Sequence, residues 1–242
     1  MTRFFVNPSD LAADTVILEG DNARHAKVLR LREGEEVCLS DGNGEECVCR
    51  VESVGERYIL SVLGRRPSES EPVAKVSIYM AMPKADKLEH VIQKATELGA
   101  YEIVTFPSAR CISRPDDKSL RGKLERWQKI AVSAAEQSGR GRIPRVVYVN
   151  SYKEALQRGA AADKAILFYE NEHATTLQMA LTDATLGTVS LLTGPEGGLE
   201  EKEVAEAREA GFAVCTLGRR ILRCETAPLC ALSVVMYATG EF

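Results

Sequence analysis

The sequence predicts an α/β protein in which a small N-terminal β-barrel precedes a mostly parallel sheet flanked by helices. Residues 1–70 contain short apolar or alternating runs, which are typical of strands. From residue 73, apolar runs alternate with amphipathic segments, the pattern of a parallel sheet covered by helices. Pro67–Pro72 is polar and bounded by prolines, so it is interpreted as a linker between domains at residues 1–70 and 73–242.

The N-terminal region is predicted to be rich in short strands. Asp41-Gly42-Asn43-Gly44 indicates a hairpin turn between two of them, because Gly and Asn accept positive φ at little cost. His25–Leu31 predicts one short helix. The even spacing of the strands favours a small barrel. The predicted strands are Val16–Leu18, Glu36–Leu39, Cys47–Val51 and Tyr58–Leu63.

The C-terminal region is predicted to alternate strand and helix. Pro83 opens a helix that Gly99 ends, and a second, longer helix ends near Gly139. The last helix is predicted to begin with Thr226 as N-cap and Pro228 in its first turn. The predicted strands are Val76–Met80, Ile103–Phe106, Val146–Val149, Ala165–Phe168, Val189–Leu192 and Val214–Leu217.

Composition is ordinary for a globular protein, with 242 residues of which 45% are hydrophobic and 27% charged. No run approaches the ~20 apolar residues of a membrane span, and the N-terminus lacks the pattern of a signal peptide. A cytoplasmic location is therefore expected. The seven cysteines form no Cys-x-x-Cys pair, which favours reduced, mostly buried thiols over metal binding or disulfides.

The net charge of −4 does not by itself indicate a nucleic-acid partner. Basic residues are nevertheless clustered at three places that fall in loops or at the ends of elements. Such clustering favours a polyanionic partner over a merely solvated surface. The clusters are Arg24, His25, Lys27, Arg30 and Arg32; Arg140, Arg142 and Arg145; and Arg219, Arg220 and Arg223.

Two glycine loops, each between a strand and a helix, predict a pocket that holds a small cofactor largely through backbone groups. The first, Gly194–Gly198, has neither the Gly-x-Gly-x-x-Gly spacing nor the Gly-Lys-Ser/Thr of a phosphate loop. Glu196, Glu200 and Glu201 put negative charge where a phosphate would bind. A neutral or cationic ligand is therefore preferred.

The second loop, Leu217–Ala227, mixes apolar and charged residues in a way that suits a site better than a plain connection. Ile221 and Leu222 could line a cofactor, while Arg223 and Glu225 face a polar substrate.

The chain resembles the SPOUT superfamily of trefoil-knotted methyltransferases, and most closely the bacterial enzymes that methylate N3 of a uridine in 16S ribosomal RNA. The resemblance extends over nearly the whole length and rests on six motifs in the family's order. They are Arg24-His25-Ala26-Lys27-Val28-Leu29-Arg30-Leu31; Lys87-Leu88-Glu89 with Gln93-Lys94-Ala95-Thr96-Glu97-Leu98-Gly99; Glu136-Gln137-Ser138-Gly139-Arg140 with Ile143-Pro144; Gly194-Pro195-Glu196-Gly197-Gly198; Leu217-Gly218 with Arg220-Ile221-Leu222-Arg223; and Glu225-Thr226-Ala227. Cys111, where the family pattern has serine, is one departure.

The resemblance implies a C-terminal trefoil knot, a homodimer, and a PUA-like RNA-binding barrel in the first 70 residues. It also implies S-adenosyl-L-methionine as cofactor, with no metal. The RNA-binding residues would be Arg24, His25, Lys27, Arg30 and Arg32. The cofactor-binding residues would be Leu192, Thr193, Gly194, Pro195, Glu196, Gly197, Gly198, Leu217, Gly218, Ile221, Leu222 and Arg223.

Methyl transfer to uridine N3 requires loss of the imide proton and stabilisation of negative charge on O2 and O4. Arg223 is the first candidate for that charge, and Arg140, from either subunit, is the second. Glu225 and Glu136 are candidate bases, although Glu225 could instead orient Arg223 and Glu136 could simply pair on a helix surface. Proton loss to water without a base stays open.

Other functions are compatible with these residues. A related knotted methyltransferase would act on a ribose 2′-oxygen or on tRNA. A ribosome-assembly factor would bind RNA without turnover. A nucleotide-dependent α/β enzyme is disfavoured by the missing phosphate loops. Because N3 lies on the pairing edge of uracil, the target of the favoured reaction must be unpaired or flipped out.

Overall fold

The computed structural model describes residues 1–182 and 187–242, which form two compact units. Unit 1 comprises residues 1–71 and 135–143, and unit 2 comprises residues 72–134 and 144–242. Residues 135–143, which are predicted to lie in the second domain, belong to unit 1. No helix in the described part of the chain is long and apolar enough to cross a membrane.

Unit 1 is built on a curled five-stranded sheet whose strand order is β1-β3-β4-β5-β2. β1 runs parallel to β3, and the other neighbours are antiparallel. The hairpin predicted at Asp41–Gly44 is confirmed, since it joins β3 to β4. The elements are β1 (Thr2–Phe5), α1 (Pro8–Leu11), β2 (Thr15–Leu18), α2 (Gly20–Val28), β3 (Glu36–Ser40), β4 (Glu45–Ser53) and β5 (Tyr58–Pro67). Phe4, Leu39 and Leu60 are among the fully buried side chains of its core.

Helix α2 lies earlier in the chain than His25–Leu31, so that predicted range is wrong at both ends. It ends because Arg30 takes a left-handed conformation, with φ of 56°. The Leu31 amide then donates to the Ala26 carbonyl at 3.1 Å, which closes the helix as in a Schellman cap.

Segment 135–143 is held against the β3–β4 hairpin by hydrogen bonds from a backbone amide and from a side-chain hydroxyl. Ile143 N donates to the Gly42 carbonyl at 3.1 Å, and Ser40 Oγ donates to the Gly141 carbonyl at 2.9 Å. The predicted linker also differs from expectation. β5 extends to Pro67, and Ser68 N donates to the Gly44 carbonyl at 2.7 Å, so this stretch is part of unit 1.

Unit 2 contains a six-stranded sheet in the order β11-β9-β10-β6-β7-β8, with every neighbouring pair parallel. The predicted parallel sheet flanked by helices is thereby confirmed. The elements are β6 (Lys75–Ala81), α3 (Lys87–Glu97), β7 (Glu102–Phe106), α4 (Asp117–Ser138), β8 (Arg145–Tyr148), α5 (Tyr152–Gly159), β9 (Lys164–Phe168), α6 (Leu177–Leu181), β10 (Thr188–Thr193), α7 (Glu201–Glu209), β11 (Ala213–Cys215) and α8 (Thr226–Ala238). The last turn of α4 belongs to unit 1.

Two predicted helix starts in this unit are wrong. α3 begins at Lys87 and not at Pro83, because Ala85 adopts φ of 54°, which no right-handed helix contains. The N-cap of α8 is Glu225, and Thr226 is already helical. Both differences fall on segments that border the glycine loops.

Candidate functional site

The loops that follow the strands of unit 2 all lie at the carboxyl-terminal side of its sheet, here called its edge, because all six strands are parallel. β6 and β10 are neighbours at the centre, yet the chain leaves β6 toward β7 and leaves β10 toward β11 on the opposite side. In open parallel sheets, ligands bind at such a switch point, outside the carboxyl ends of the strands. Both glycine loops emerge at this edge, after β10 and β11.

The first glycine loop follows β10 and has no room for side chains at its glycines. A Cβ on Gly194 would lie 3.1 Å from the carbonyl carbon of Gly198. Gly198 has φ of 68°, and a Cβ there would overlap the carboxylate of Glu170, in the loop after β9. The loop is therefore tightly folded against its neighbours, with its backbone groups close to the sheet edge.

The loop after β9 is itself fixed by a carboxylate. The amide of Ala174, the guanidinium of Arg208 and the amide of Thr175 lower the pKa of Glu172 to about 2. Arg208 Nη2 lies 2.8 Å from Glu172 Oε2. This charged turn supports the segment against which Gly198 packs.

Glu196 ties the first glycine loop to the start of α3. Its Oε1 accepts hydrogen bonds from the Lys84 amide and from Lys87 Nζ, both at 3.0 Å. Partial burial alone would raise the pKa of Glu196, but its own amide, the Lys84 amide and the Lys87 ammonium together bring the pKa below its usual value. Glu196 is therefore a carboxylate at neutral pH.

The second glycine loop lies between β11 and α8. Gly218 has φ of 104° and open space where a Cβ would stand. Arg219, Arg220, Ile221 and Arg223 are exposed, while Leu222 is half-buried. This loop ends at Glu225, whose Oε2 lies 3.4 Å from Lys87 Nζ and accepts a hydrogen bond from Cys224 Sγ at 3.2 Å.

Thr193 has the environment of a ligand-binding side chain. It is the last residue of β10 and is 2% exposed, and its hydroxyl has no hydrogen-bond partner among the described residues. Buried hydroxyls nearly always have a partner. The unpaired hydroxyl directly precedes the first glycine loop, so it is available to donate or accept a hydrogen bond with a ligand held there.

Arg110 packs against the first glycine loop from the segment after β7. Its Nη1 donates to the Gly197 carbonyl at 2.9 Å. Glu203, buried in the first turn of α7, accepts from the Ala109 amide at 2.8 Å and from the Glu200 amide at 2.9 Å. Cys111, the departure from the family pattern, is buried with its Sγ 3.2 Å from Ser108 Oγ.

The predicted catalytic residues fall into two groups. Arg223 and Glu225 lie at the second glycine loop of unit 2, but the hydrogen bonds of the described residues join Glu225 to Lys87 and Cys224, not to Arg223. Arg140 and Glu136 lie in unit 1. Burial alone would raise the pKa of Glu225, but hydrogen bonds from its own amide, Cys224 and Lys87 outweigh burial, so this pKa is lowered and Glu225 is a weak base.

Arg140 is buried and binds Glu71 with two contacts. Its Nε lies 3.2 Å from Glu71 Oε1 and its Nη2 lies 2.6 Å from Glu71 Oε2. Glu136 lies on the last turn of α4, where burial raises its pKa. Its Oε2 is 3.9 Å from Nδ1 of His25, so a structural pair within unit 1 accounts for part of its environment.

The predicted RNA-binding residues lie on and just after α2 in unit 1. Four of the five are exposed, namely Arg24, Lys27, Arg30 and Arg32. His25 is half-buried, with its ring 5.4 Å from that of Phe4. Exposed cations on this segment are suited to a phosphate backbone.

Comparison with known proteins decides the family. A family described as RNA methyltransferase domain matches residues 69–236, and one described as RNA methyltransferase PUA domain matches residues 18–63. The chain belongs to the RNA methyltransferase family. The predicted resemblance and the PUA-like character of the N-terminal region are thus confirmed.

Relatives that match this methyltransferase over nearly their whole length are named as ribosomal RNA methyltransferases. The chain is 38% identical to Ribosomal RNA small subunit methyltransferase E of Bacillus subtilis, over 99% of this chain and 97% of the relative. The solved structure of a Neisseria gonorrhoeae protein of the same name, bound to S-adenosyl methionine, is 34% identical with a TM-score of 0.86, covering 98% and 97% of the two chains. A Legionella pneumophila methyltransferase, solved with the same cofactor, is 27% identical with a TM-score of 0.85 at the same coverage.

Both glycine loops of the methyltransferase are predictable from the sequence, but the residues that fasten them are not. Lys87 and Lys84 fix Glu196, and Arg110 and Glu203 support the loop from the other side. Lys87 was visible only as part of the Lys87-Leu88-Glu89 motif. These contacts join segments about a hundred residues apart, so no local pattern indicates them.

Proposed function

We propose that this protein is an S-adenosyl-L-methionine-dependent methyltransferase that modifies N3 of a uridine in 16S ribosomal RNA of the small ribosomal subunit. The observation that carries the proposal is the pair of glycine loops at the switch point of a parallel sheet, next to the unpaired hydroxyl of Thr193. The small-subunit name of full-length relatives supports the substrate.

The described residues fit this cofactor. When bound, S-adenosylmethionine supplies an electrophilic methyl group on a positively charged sulfonium. Backbone groups of Gly194–Gly198 and Leu217–Gly218, with Leu192 and the Thr193 hydroxyl, would hold it. Pro195, Ile221 and Leu222 would provide apolar surface. The carboxylates of Glu196 and Glu225 near these loops disfavour a phosphate ligand and are compatible with a cation.

Arg223 is proposed to stabilise the negative charge that develops on the uracil oxygens. Its guanidinium is exposed at the second glycine loop, stays charged, and can donate two parallel hydrogen bonds. Arg140 is committed to Glu71, so we assign it a positioning role within unit 1. Exposed Arg24, Lys27, Arg30 and Arg32, with His25, are proposed to hold RNA phosphates near the target.

Glu136 is the better of the two candidate bases. Its pKa is raised by burial, against the lowering effect of His25, whereas the pKa of Glu225 is lowered. A general base works best when its pKa approaches the operating pH. Glu136→Gln should remove the acidic limb of the pH–rate profile. An unchanged profile would show that the proton leaves to water.

A homodimer is proposed because apolar side chains are exposed on and beside α8. Ile221 is 84% exposed, Tyr237 71% and Val234 38%. A second copy of the chain would cover them. Sedimentation of a dimer is expected, and a monomer at micromolar concentration would contradict the proposal. The trefoil knot stays a prediction, and a cytoplasmic location is proposed from the ribosomal substrate.

The reaction is tested by incubating purified protein and S-adenosylmethionine with unmodified ribosomal RNA, naked or assembled in small subunits. Mass spectrometry of the nucleosides should show 3-methyluridine. Arg223→Ala should lower the rate about 10²- to 10³-fold, as loss of a charge-stabilising donor does, while Arg219→Ala, in the same loop, serves as control. A ribose methyl, a product found only with tRNA, or RNA binding without any turnover would each contradict the proposed reaction.

A further inference from the structure

Lys87 lies where three distant segments of unit 2 converge. It is the first residue of α3, and its Nζ is 3.0 Å from Glu196 Oε1 and 3.4 Å from Glu225 Oε2. The same nitrogen lies 3.8 Å from Cys224 Sγ. Glu196 belongs to the first glycine loop and Glu225 ends the second. One ammonium group is therefore bound to both loops.

We propose that Lys87 is a positioning residue that couples the two glycine loops and holds them in the arrangement that binds the cofactor. The inference rests on the proposed function for what the loops bind. It adds a residue that touches both loops from outside them. The side chains of Lys87, Glu196 and Glu225 are 26%, 25% and 23% exposed, so water screens their charges only in part.

The charges explain why the coupling depends on a cation. Glu196 and Glu225 are both ionised at neutral pH, because hydrogen bonds lower their pKa values. Without a cation between them, the negatively charged carboxylates of the two loops would repel each other. A lysine suits the position, since a compact ammonium has three donors and can serve several acceptors at once.

The backbone before α3 is adapted to this contact. Ala85 is held at φ of 54°, a conformation that is unfavourable for a residue with a side chain. This turn delays the helix until Lys87 and lets the Lys84 amide donate to Glu196 Oε1, the oxygen that Lys87 also binds. Strained backbone persists where surrounding contacts over-determine it, often at functional sites. The segment is thus built around Glu196.

The loss of this coupling should weaken cofactor binding more than it slows the chemical step. Loss of Lys87 removes no group that touches the transferred methyl. Without Lys87, however, each loop must be ordered separately when the cofactor binds. Coupling between sites typically changes affinity about 5- to 150-fold. We expect Lys87→Met to weaken S-adenosylmethionine binding within that range, with kcat at saturation changing much less.

The test uses the full-length protein and two readouts. Calorimetry measures S-adenosylmethionine binding, and hydrogen exchange of the cofactor-free protein measures the ordering of residues 194–198 and 217–225. Lys87→Met should raise Kd and speed exchange in both loops. Lys87→Arg should restore most of both. Lys94→Met is the matched control, because this ammonium lies on the same helix and pairs with Glu97.

Further variants keep the proposal falsifiable if Lys87→Met does not fold. Glu225→Gln removes the charge that Lys87 binds in the second loop, leaves the Lys87–Glu196 pair in place, and should speed exchange in residues 217–225. The coupling would be overturned if the Lys87 and Glu225 variants exchanged these loops at the wild-type rate and bound S-adenosylmethionine with a Kd within about twofold of the wild-type value. Hydrogen exchange needs no cofactor. A wild-type protein that fails to bind S-adenosylmethionine would therefore contradict the proposed function alone.

Discussion

Arg140→Met tests whether this arginine supports unit 1 or takes part in the reaction. The Arg140 side chain is 4% exposed and Glu71 is 17% exposed, so replacing the arginine leaves a carboxylate with little water to solvate it. Breaking a buried ion pair from one side costs about 3–5 kcal/mol. Methionine retains much of the apolar stem, and Glu71 keeps some hydration, so a loss of about 3 kcal/mol is expected.

Urea unfolding followed by far-UV circular dichroism measures this loss. With a slope of about 2 kcal/mol per molar urea, the midpoint should fall by about 1.5 M. Fluorescence is a poor substitute, because the single tryptophan, Trp127, is buried in unit 2. The double variant with Glu71→Gln and Arg140→Met should be more stable than Arg140→Met alone, because it no longer has an unpaired carboxylate at Glu71. Arg145→Met, exposed on β8, is the control.

Activity of the folded Arg140→Met protein completes the test. A positioning role predicts that methyl transfer per folded molecule falls less than in Arg223→Ala. An unchanged unfolding midpoint with activity as low as in Arg223→Ala would refute the reasoning and place Arg140 among the catalytic residues.

Three further substitutions give separate expectations. Gly198→Ala, with φ of 68° and no space for a Cβ, should weaken S-adenosylmethionine binding in calorimetry, whereas Gly211→Ala, with φ of 94° and open space, should not. Glu172 has a pKa lowered to about 2, so it stabilises the fold fully above pH ~5 and less as the pH falls toward 2. The melting difference between wild type and Glu172→Gln should therefore shrink in acid, and a constant difference would contradict this. Arg30→Gly relieves a left-handed residue, so melting should stay equal or rise by the equivalent of ~1 kcal/mol while RNA binding, measured by filter retention, weakens. Lower stability with unchanged RNA binding would contradict both expectations.

Regular periodicity was enough to predict the parallel sheet and the long helix α4, and the turn residues Asp41–Gly44 predicted the β3–β4 hairpin. Short apolar runs between turn residues indicate central strands, and Gly139, with φ of 73°, ends α4 where glycine predicts it. The end of α2 and the start of α3 differ from prediction for a common reason. Each is set by a neighbouring residue, Arg30 or Ala85, in a left-handed conformation that its residue type does not indicate.

The site was predictable as two loops but not as a connected structure. Glycine and proline mark Gly194–Gly198 because a tight turn requires those residues, whereas the Lys87 bridge joins positions separated by more than a hundred residues. For Arg140 a local pattern is present in the sequence, but it indicates the wrong role. In the sequence it belongs to a basic cluster that suggests RNA contact, and only the fold reveals that Glu71 neutralises it in a buried place.

The central claim is that the cofactor binds between the two glycine loops of unit 2. Hydrogen exchange of the wild-type protein with and without S-adenosylmethionine tests it most directly. Slower exchange on cofactor addition is expected in both residues 194–198 and residues 217–225, with little change in the sheet of unit 1. Protection confined to one loop, or found in unit 1 while both loops exchange as before, would contradict the account.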